Sequence, residues 1–348
     1  MRIFLPFVIA CKPMAPLAPP HCERASTALI DTEDGAQIAL HHHSGAGPPV
    51  ILVHGISSNH HFWDLTEQHS MPELLVDAGF DTWAVDLRGH GDAMKTEAGI
   101  RQRHGWTIDD YGKHDLHAAI THVQTVTGHA KVAVVGHSMG GMVAAAYNGH
   151  HGDDAISALV VVGSPISFEH QDFLTLLGRT GLGIGSLWTS FGTQRWAAMA
   201  SRMSGPLPIH GEGVLYNAKN MKPEMRRYML DHIVSPVSRE ELRHFQVIFK
   251  QRRFTSVDGQ LDYPAQLRDL DAPLLVVAGS GDQIAPIETV EAWIEHSGSD
   301  DETFMAAGEA NGFAFDYGHL DLVLGDHARE EVLNPIASWL ESRLLKAP

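Results

Sequence analysis

Cysteine is scarce in this chain, and the few that occur stand apart from its body. The 348 residues include two cysteines, Cys11 and Cys22. The chain after residue 22 therefore contains no thiol. No disulfide framework can hold that part of the protein together.

Basic residues and long apolar runs are also in short supply. Lysine and arginine together number 25, against 42 aspartates and glutamates, which gives a formal net charge of −17. So acidic a surface repels phosphate backbones, and we predict that the protein has no nucleic-acid partner. Because no run is long enough to cross a bilayer, we also predict no integral membrane segment. A hydrophobic content of 44% with 19% charged residues is typical of a globular protein.

The first 25 residues have a composition of their own. An apolar start ends in Val8-Ile9-Ala10-Cys11, which resembles a bacterial lipoprotein cleavage box, and residues 12–25 have the proline content of a tether. The apolar run is at the short limit for a signal and follows a single arginine. We therefore interpret residues 1–25 as the flexible leader of a cytoplasmic protein. Export, or a lipid anchor on Cys11, is the alternative.

Short apolar runs alternate with segments of helical spacing along most of the chain. The runs predict buried strands at 50–53, 81–85, 131–135, 156–162 and 274–278, with a weaker strand at 302–305. Helical spacing occupies 67–78, 108–126 and 325–345. This alternation predicts an α/β fold with a mainly parallel central sheet flanked by helices. Two extended runs, 27–31 and 37–43, are joined through Asp34-Gly35 and predict an antiparallel hairpin at one edge.

The alternation stops between Pro165 and Tyr263. This stretch is rich in glycine, methionine and aromatic residues, and its second half, 222–249, has helical spacing. We predict a helical cap over residues 166–263, inserted between two parts of the sheet domain, 26–165 and 264–348. Most of its apolar side chains would form the cap's own core, and those that line a pocket would suit an apolar acyl group.

A G-x-S-x-G motif at residues 136–140 stands between a predicted strand and a predicted helix. A sharp turn from strand to helix exposes its middle residue, and glycines on both sides let the two elements crowd together. Ser138 would therefore stand at the tip, with the N-terminus of a helix behind it to favour negative charge. This is the position of a nucleophile.

A serine nucleophile needs a base and a carboxylate that orients the base. Asp282 follows the strand 274–278 and would project from the carboxyl end of the sheet; the alternative is a turn residue that caps the helix near Pro286. Of the chain's 24 histidines, His319 stands between Asp282 and the closing helix, in the order serine, acid, histidine; His296 and His327 are the alternatives. We predict Ser138, Asp282 and His319 as catalytic residues.

The oxyanion of a tetrahedral intermediate needs backbone donors. We predict the N–H groups of Met139, in the first turn after the elbow, and of Ile56, in the loop after the strand 50–53. His54 and His137 lie close by in this picture, and we interpret both as packing residues. The histidine runs at 41–43, 60–61 and 150–151 lack a recognisable ligand spacing, so we predict no metal and no cofactor.

Taken together, these motifs resemble those of the α/β-hydrolase superfamily, in the family order. They are His54-Gly55, Asp86-Leu87-Arg88-Gly89-His90-Gly91, Gly136-His137-Ser138-Met139-Gly140-Gly141, Gly281-Asp282 and Gly318-His319. The resemblance covers about residues 27 to 345 and implies the α/β-hydrolase fold with a cap insertion. The segment 317–325 is similar to the base segment of acid lipases and of polyhydroxyalkanoate synthase-like proteins. The synthases have cysteine as nucleophile, so Ser138 favours hydrolysis over polymerisation.

The predicted function is that of a serine hydrolase. It would cleave carboxylic esters, small or lipid-like, through an acyl-enzyme, in the manner of esterases and lipases. Acyl transfer, or cleavage of amide or carbon–carbon bonds by the same residues, is the alternative. A non-catalytic binding module is a further alternative, although such modules usually have a broken triad. The oligomeric state stays open.

Overall fold

The structure, a computed structural model, describes residues 25–100, 102, 105–169 and 213–345. The predicted leader, apart from residue 25, and residues 170–212 of the predicted cap lie outside the described residues. Within the described part of the chain, no helix is both long and apolar enough to cross a membrane.

Eight strands of the described residues form one sheet, in the order β1-β2-β4-β3-β5-β6-β7-β8. All pairs from β4 to β8 are parallel, whereas β1 and β2 run antiparallel at one edge and are joined through Gly35, whose φ is +84°. The predicted α/β fold class is therefore confirmed. The strands are β1 Ser26–Asp31, β2 Gln37–His43, β3 Pro49–Val53, β4 Asp81–Asp86, β5 Val132–His137, β6 Ile156–Val162, β7 Leu274–Gly279 and β8 Glu302–Ala307.

The central strands are mainly apolar because both faces of the sheet are covered. On β3, the side chains of Ile51 and Val53 belong to one apolar cluster, while Val50 and Leu52 belong to another on the opposite face. Side chains along a strand alternate between faces, so a strand buried on both sides has few polar positions. The continuous apolar runs of the sequence thus report burial between two helical layers.

The helices surround this sheet. Their bounds are α1 Met71–Asp77, α2 Ile108–Asp110, α3 His117–Thr127, α4 Met139–His151, α5 Pro223–His232, α6 Arg239–Gln251, α7 Tyr263–Gln266, α8 Ile287–His296, α9 Asp321–Leu324 and α10 Asn334–Leu344. π-helical turns cover Tyr111–Leu116 and Arg329–Leu333, and 3-10 turns cover His60–Phe62, Glu67–His69, Gly91–Met94, Leu267–Asp269 and Glu309–Asn311.

Two helix predictions need correction. The predicted helix 67–78 is divided at Ser70, whose side chain accepts a hydrogen bond from the Glu73 N–H and begins α1 there. The predicted helix 325–345 is also shorter, since residues 325–327 form a bend and a turn and helical residues begin at Ala328.

The described part of the predicted cap, residues 213–263, contains α5 and α6. They are separate helices because Pro236 lies in the linker between them, residues 233–238, and Ser238 caps α6 through the Glu241 N–H. The extent of the cap over residues 166–263 stays a prediction.

Candidate active site

The turn between β5 and α4 holds Ser138 in a strained backbone conformation. Its φ is +54° and its ψ is −121°, in a region that few residues other than glycine adopt. Ser138 precedes Met139, the first residue of α4, so its side chain stands at the positive end of a thirteen-residue helix. The predicted elbow geometry is therefore present.

The glycines of the motif permit this turn by close approach. A Cβ on Gly136 would overlap the backbone of Gly140 and Gly141, and a Cβ on Gly140 would overlap the carbonyl oxygen of Val53. Strand β5, helix α4 and the end of β3 therefore approach one another so closely that only glycine, which has no Cβ, fits at residues 136 and 140.

The structure brings together the three residues that the sequence predicted as catalytic. His319 Nε2 lies 2.8 Å from Ser138 Oγ, and His319 Nδ1 lies 2.7 Å from Asp282 Oδ2. An ionised carboxylate only accepts hydrogen bonds, so Nδ1 carries the proton and Nε2 is free to accept from the serine hydroxyl. All three side chains are buried, and this keeps water from competing for their hydrogen bonds.

Asp282 is held in place by the backbone that follows it. Its Oδ1 accepts from the N–H groups of Ile284 at 2.8 Å and Ala285 at 2.9 Å, while Oδ2 faces the imidazole of His319. The sequence left two roles open for Asp282, that of the catalytic acid and that of a turn residue. The structure combines them, because Asp282 stabilises the turn before α8 and also faces His319. Each oxygen has its own task, and the carboxylate cannot rotate without losing both backbone bonds.

The loop that carries His319 is fixed by a second buried acid. Asp321 Oδ1 accepts from the N–H groups of Gly318 and Asn217, both at 3.0 Å, and Oδ2 accepts from Asn220 Nδ2 at 3.0 Å. Burial raises the pKa of Asp321, although these hydrogen bonds oppose the rise. Asp321 therefore ties the histidine loop to the segment that precedes α5.

The loop after β3 passes directly beside the nucleophile. A Cβ on Gly55 would lie 3.1 Å from the Cβ of Ser138 and 3.2 Å from His137 Nδ1. Ile56 is therefore adjacent to the elbow, and Met139 begins α4, where the first N–H groups lack partners within the helix. Both residues predicted to supply the oxyanion donors thus lie next to Ser138, Met139 in the chain and Ile56 in the neighbouring loop, and the catalytic role of their N–H groups stays a prediction.

His137 does more than the packing that the sequence suggested. Its Nε2 donates to the backbone carbonyl of His319 at 3.0 Å, and the two ring centroids are 4.8 Å apart. Burial, and next the neighbouring His319, hold the pKa of His137 well below its usual value, so the ring is neutral. His54 has the packing role expected of it, with Nδ1 donating to the Gly55 carbonyl at 2.8 Å.

Two further residues at the end of β6 were missed by the sequence reasoning. Gly163 has a φ of +54°, and a Cβ there would lie 3.4 Å from His319 Nδ1 and 3.5 Å from Asp282 Oδ2. Ser164 Oγ donates to the carbonyl of Ser138 at 2.7 Å and so supports the elbow. The available signal was a Gly-Ser pair at the carboxyl end of the strand next to the elbow strand.

The structure also gathers histidines that showed no ligand spacing in the sequence. Asp86 Oδ2 lies 3.0 Å from His41 Nε2 and 2.8 Å from His60 Nδ1, and Asp92 stands beside them. Burial would raise the pKa of Asp86, but His60 and His41 hold it well below its usual value. The two imidazoles are stacked, with centroids 3.4 Å apart and planes 18° from parallel. An ion about 2.1 Å from both nitrogens would lie far outside at least one ring plane, so this arrangement fits hydrogen bonds rather than a metal.

The fold and the motif agree with known proteins. Residues 48–180 match the family model described as the alpha/beta hydrolase fold. A thermophilic esterase from Thermogutta terrifontis superposes with a TM-score of 0.63 at 22% sequence identity, covering 92% of this chain and 100% of that chain. The described part of the chain therefore has the α/β-hydrolase fold. Its predicted α/β-hydrolase fold is therefore confirmed.

Proteins similar in sequence to this chain include lipases. Triacylglycerol lipase 1 of Arabidopsis thaliana is 24% identical over 357 residues, which cover 90% of this chain and 86% of that protein. Human lysosomal acid lipase/cholesteryl ester hydrolase is 33% identical over 125 residues, which cover 32% of this chain and 31% of that protein. An esterase from Exiguobacterium antarcticum has a TM-score of 0.60 at 18% identity, covering 90% of this chain and 99% of that chain.

Proposed function

We propose that this α/β-hydrolase-fold protein is a serine hydrolase that cleaves carboxylic esters through an acyl-enzyme. The observation that carries the proposal is the unbroken relay from Ser138 Oγ through His319 to Asp282, with contacts of 2.8 and 2.7 Å. The similarity to lipases and esterases supports ester substrates. A non-catalytic module would have no need of a complete relay at a strained elbow.

The relay supplies each proton transfer that ester cleavage needs. As Ser138 Oγ attacks the ester carbonyl carbon, His319 Nε2 takes the hydroxyl proton, and Asp282 stabilises the imidazolium. The tetrahedral intermediate collapses when His319 returns that proton to the alkoxy oxygen, and the alcohol leaves. Water then repeats the sequence on the acyl-enzyme, which releases the acid and restores Ser138.

The negative charge on the carbonyl oxygen would be met by two backbone donors. The N–H of Met139 lies at the start of α4, and the N–H of Ile56 lies in the loop beside Ser138. We propose these two groups as the oxyanion hole. The apolar residues of the predicted cap suggest a substrate with an apolar acyl group, either a small ester or a lipid-like one.

A chain-length series tests the reaction and the acyl preference together. We expect hydrolysis of p-nitrophenyl esters, measured from acetate to palmitate, and covalent labelling of the protein by a fluorophosphonate. Ser138→Ala should abolish both. Ser157→Ala, on β6 at the far end of the sheet from the elbow, is the matched control and should leave both unchanged. Equal labelling of the wild type and Ser138→Ala would reject the nucleophile.

Acyl transfer by the same residues predicts a different product. If an added alcohol captures most of the acyl group at concentrations far below that of water, the protein is a transferase. We expect free acid to remain the main product, because nothing in the relay selects an alcohol over water.

A further inference from the structure

The loop that would carry the oxyanion donor is not held by the sheet domain alone. Residues 54–60 follow β3, and we call this segment the oxyanion loop. On its outer side it meets the linker 233–238 between α5 and α6. The Ser235 N–H donates to the Ser57 carbonyl at 2.9 Å, and Ser57 Oγ donates to the Ser235 carbonyl at 2.7 Å. This reciprocal pair joins two segments that are far apart in sequence.

Asn59 makes the largest part of this connection. Its Nδ2 donates to the carbonyl oxygens of His232 and Ile233, both at 2.9 Å, and contacts Ser235 Oγ at 3.3 Å. Its Oδ1 points the other way and accepts from the His61 N–H at 3.0 Å, which caps the short helical turn after the loop. Asn59 and Ser235 are fully buried, so water cannot replace these bonds.

The backbone of the loop needs such support. Ser57 has a φ of +55°, a left-handed conformation that non-glycine residues rarely adopt and that stores strain. It directly follows Ile56, so relaxation of Ser57 would move the Ile56 Cα and shift the neighbouring N–H donor with it. The hydrogen bonds from the linker act at this residue and at the next buried anchor, Asn59.

We infer that Asn59 and Ser235 are positioning residues through which the linker of the predicted cap holds the oxyanion loop in its productive form. This inference rests on the proposed function and adds a task for the cap besides enclosing the substrate. The oxyanion donor is in place only while the linker is docked. Catalysis and substrate enclosure are therefore coupled through one set of hydrogen bonds.

Asn59→Asp separates this role from helix capping. The aspartate keeps the oxygen that caps His61, since aspartate is as good a cap as asparagine, but places a second oxygen against the carbonyl oxygens of His232 and Ile233, which can only accept. Because a donor displaced by about 1 Å weakens transition-state binding, we expect kcat to fall about tenfold to a hundredfold, with KM within about twofold. Ser235→Ala, which removes one acceptor, should lower kcat by about two- to fivefold in the same way.

An inhibitor pair reports on the oxyanion hole alone. A trifluoromethyl ketone forms a tetrahedral adduct whose oxygen occupies the hole, whereas the matching secondary alcohol binds without an adduct. The ketone should lose affinity by the same factor as kcat in each variant, and the alcohol should bind as to the wild type. Asn148→Asp is the control, since its buried amide also donates to a backbone carbonyl, that of Gln266, at 2.9 Å, but away from the site.

The outcomes distinguish a failure of the positioning role from a failure of the proposed function. If the wild type hydrolyses esters and both variants retain its kcat, the positioning role is wrong and the proposed function stands. If ketone and alcohol lose affinity together, the linker shapes the substrate pocket instead, and the inference is again overturned. If Asn59→Asp does not fold, Ser235→Ala decides by the same comparison. If the wild type cleaves no ester, the proposed function and the inference fall together.

Discussion

Asp282→Asn provides a sharp test of how the relay works, because the structure dictates which way the new amide must face. The N–H groups of Ile284 and Ala285 both donate to Oδ1 of Asp282. The amide oxygen of an asparagine will therefore take the Oδ1 position, and its NH₂ group will face His319 Nδ1. A donor in that place forces Nδ1 to accept and moves the ring proton to Nε2. His319 then has no lone pair with which to take the proton of Ser138.

The size of the fall in kcat depends on the free energy that it costs to flip the asparagine amide back. Flipping the amide would leave the two backbone N–H groups without an acceptor, at about 1–3 kcal/mol each, or about 2–6 kcal/mol together. The lost carboxylate charge also ceases to stabilise the imidazolium. We expect kcat to fall at least a thousandfold, which corresponds to about 4 kcal/mol, and the same change in a serine protease lowers kcat by about 10⁴. The free energy of unfolding should change little, because both backbone bonds persist.

Two measurements check this reasoning. The kcat for a p-nitrophenyl ester gives the rate, and ¹⁵N NMR of His319 gives the position of the ring proton. Asp282→Ala is the companion variant, since it removes the carboxylate without imposing a tautomer but leaves two N–H groups unpaired. A proton on Nδ1 in Asp282→Asn, or a kcat above a tenth of the wild-type value, would refute the tautomer argument.

Three further changes have defined outcomes. Burial raises the pKa of Glu241 from 4.5 to about 7, so the wild type loses stability as the pH rises through that range. Between pH 4.5 and pH 8, the free energy of unfolding of Glu241→Gln, measured with urea, should rise by about 3 kcal/mol relative to that of the wild type. A difference that stays constant with pH would contradict this. Gly140→Ala should lower the free energy of unfolding by about 1–3 kcal/mol, since overlap with the Val53 carbonyl exceeds the gain in helix propensity of about 1 kcal/mol; an equally stable variant would show that the elbow can relax. His137→Phe should reduce kcat about tenfold by releasing the His319 carbonyl, whereas His137→Gln, which retains a donor, should lose less; equal losses would assign His137 to packing.

The features that local patterns encode were predicted from the sequence. The apolar run 50–53 became β3, Pro49–Val53, and the elbow motif became the turn from β5 to α4. Asp282 was found because it follows an apolar strand and all parallel strands end at the same edge, and His319 because it stands after Asp282 in the order serine, acid, histidine. Their contacts of 2.7 and 2.8 Å therefore follow from topology and motif together.

The features that depend on contacts between distant segments were not predictable. His41 and His60 stack on each other because β2 and the oxyanion loop meet at Asp86, and nothing in their spacing indicates this. The connection of Asn59 with Ser235 likewise requires the linker to dock on the core. Helix 67–78 was predicted as continuous because periodicity does not register that Ser70 caps a new start.

The place where the helical insertion leaves the sheet has a consequence for engineering. The chain departs after Val162 and returns at Leu274, and these two strands, β6 and β7, are direct hydrogen-bonded neighbours. A foreign insertion could therefore be spliced in at this point without altering the pairing of the sheet. A replacement insertion chosen only for the shape of its pocket would lack the carbonyl oxygens that accept hydrogen bonds from Asn59. The resulting chimera would gain a new substrate range but lose turnover. Restoring turnover in such a chimera would require grafting residues 232–235 with it.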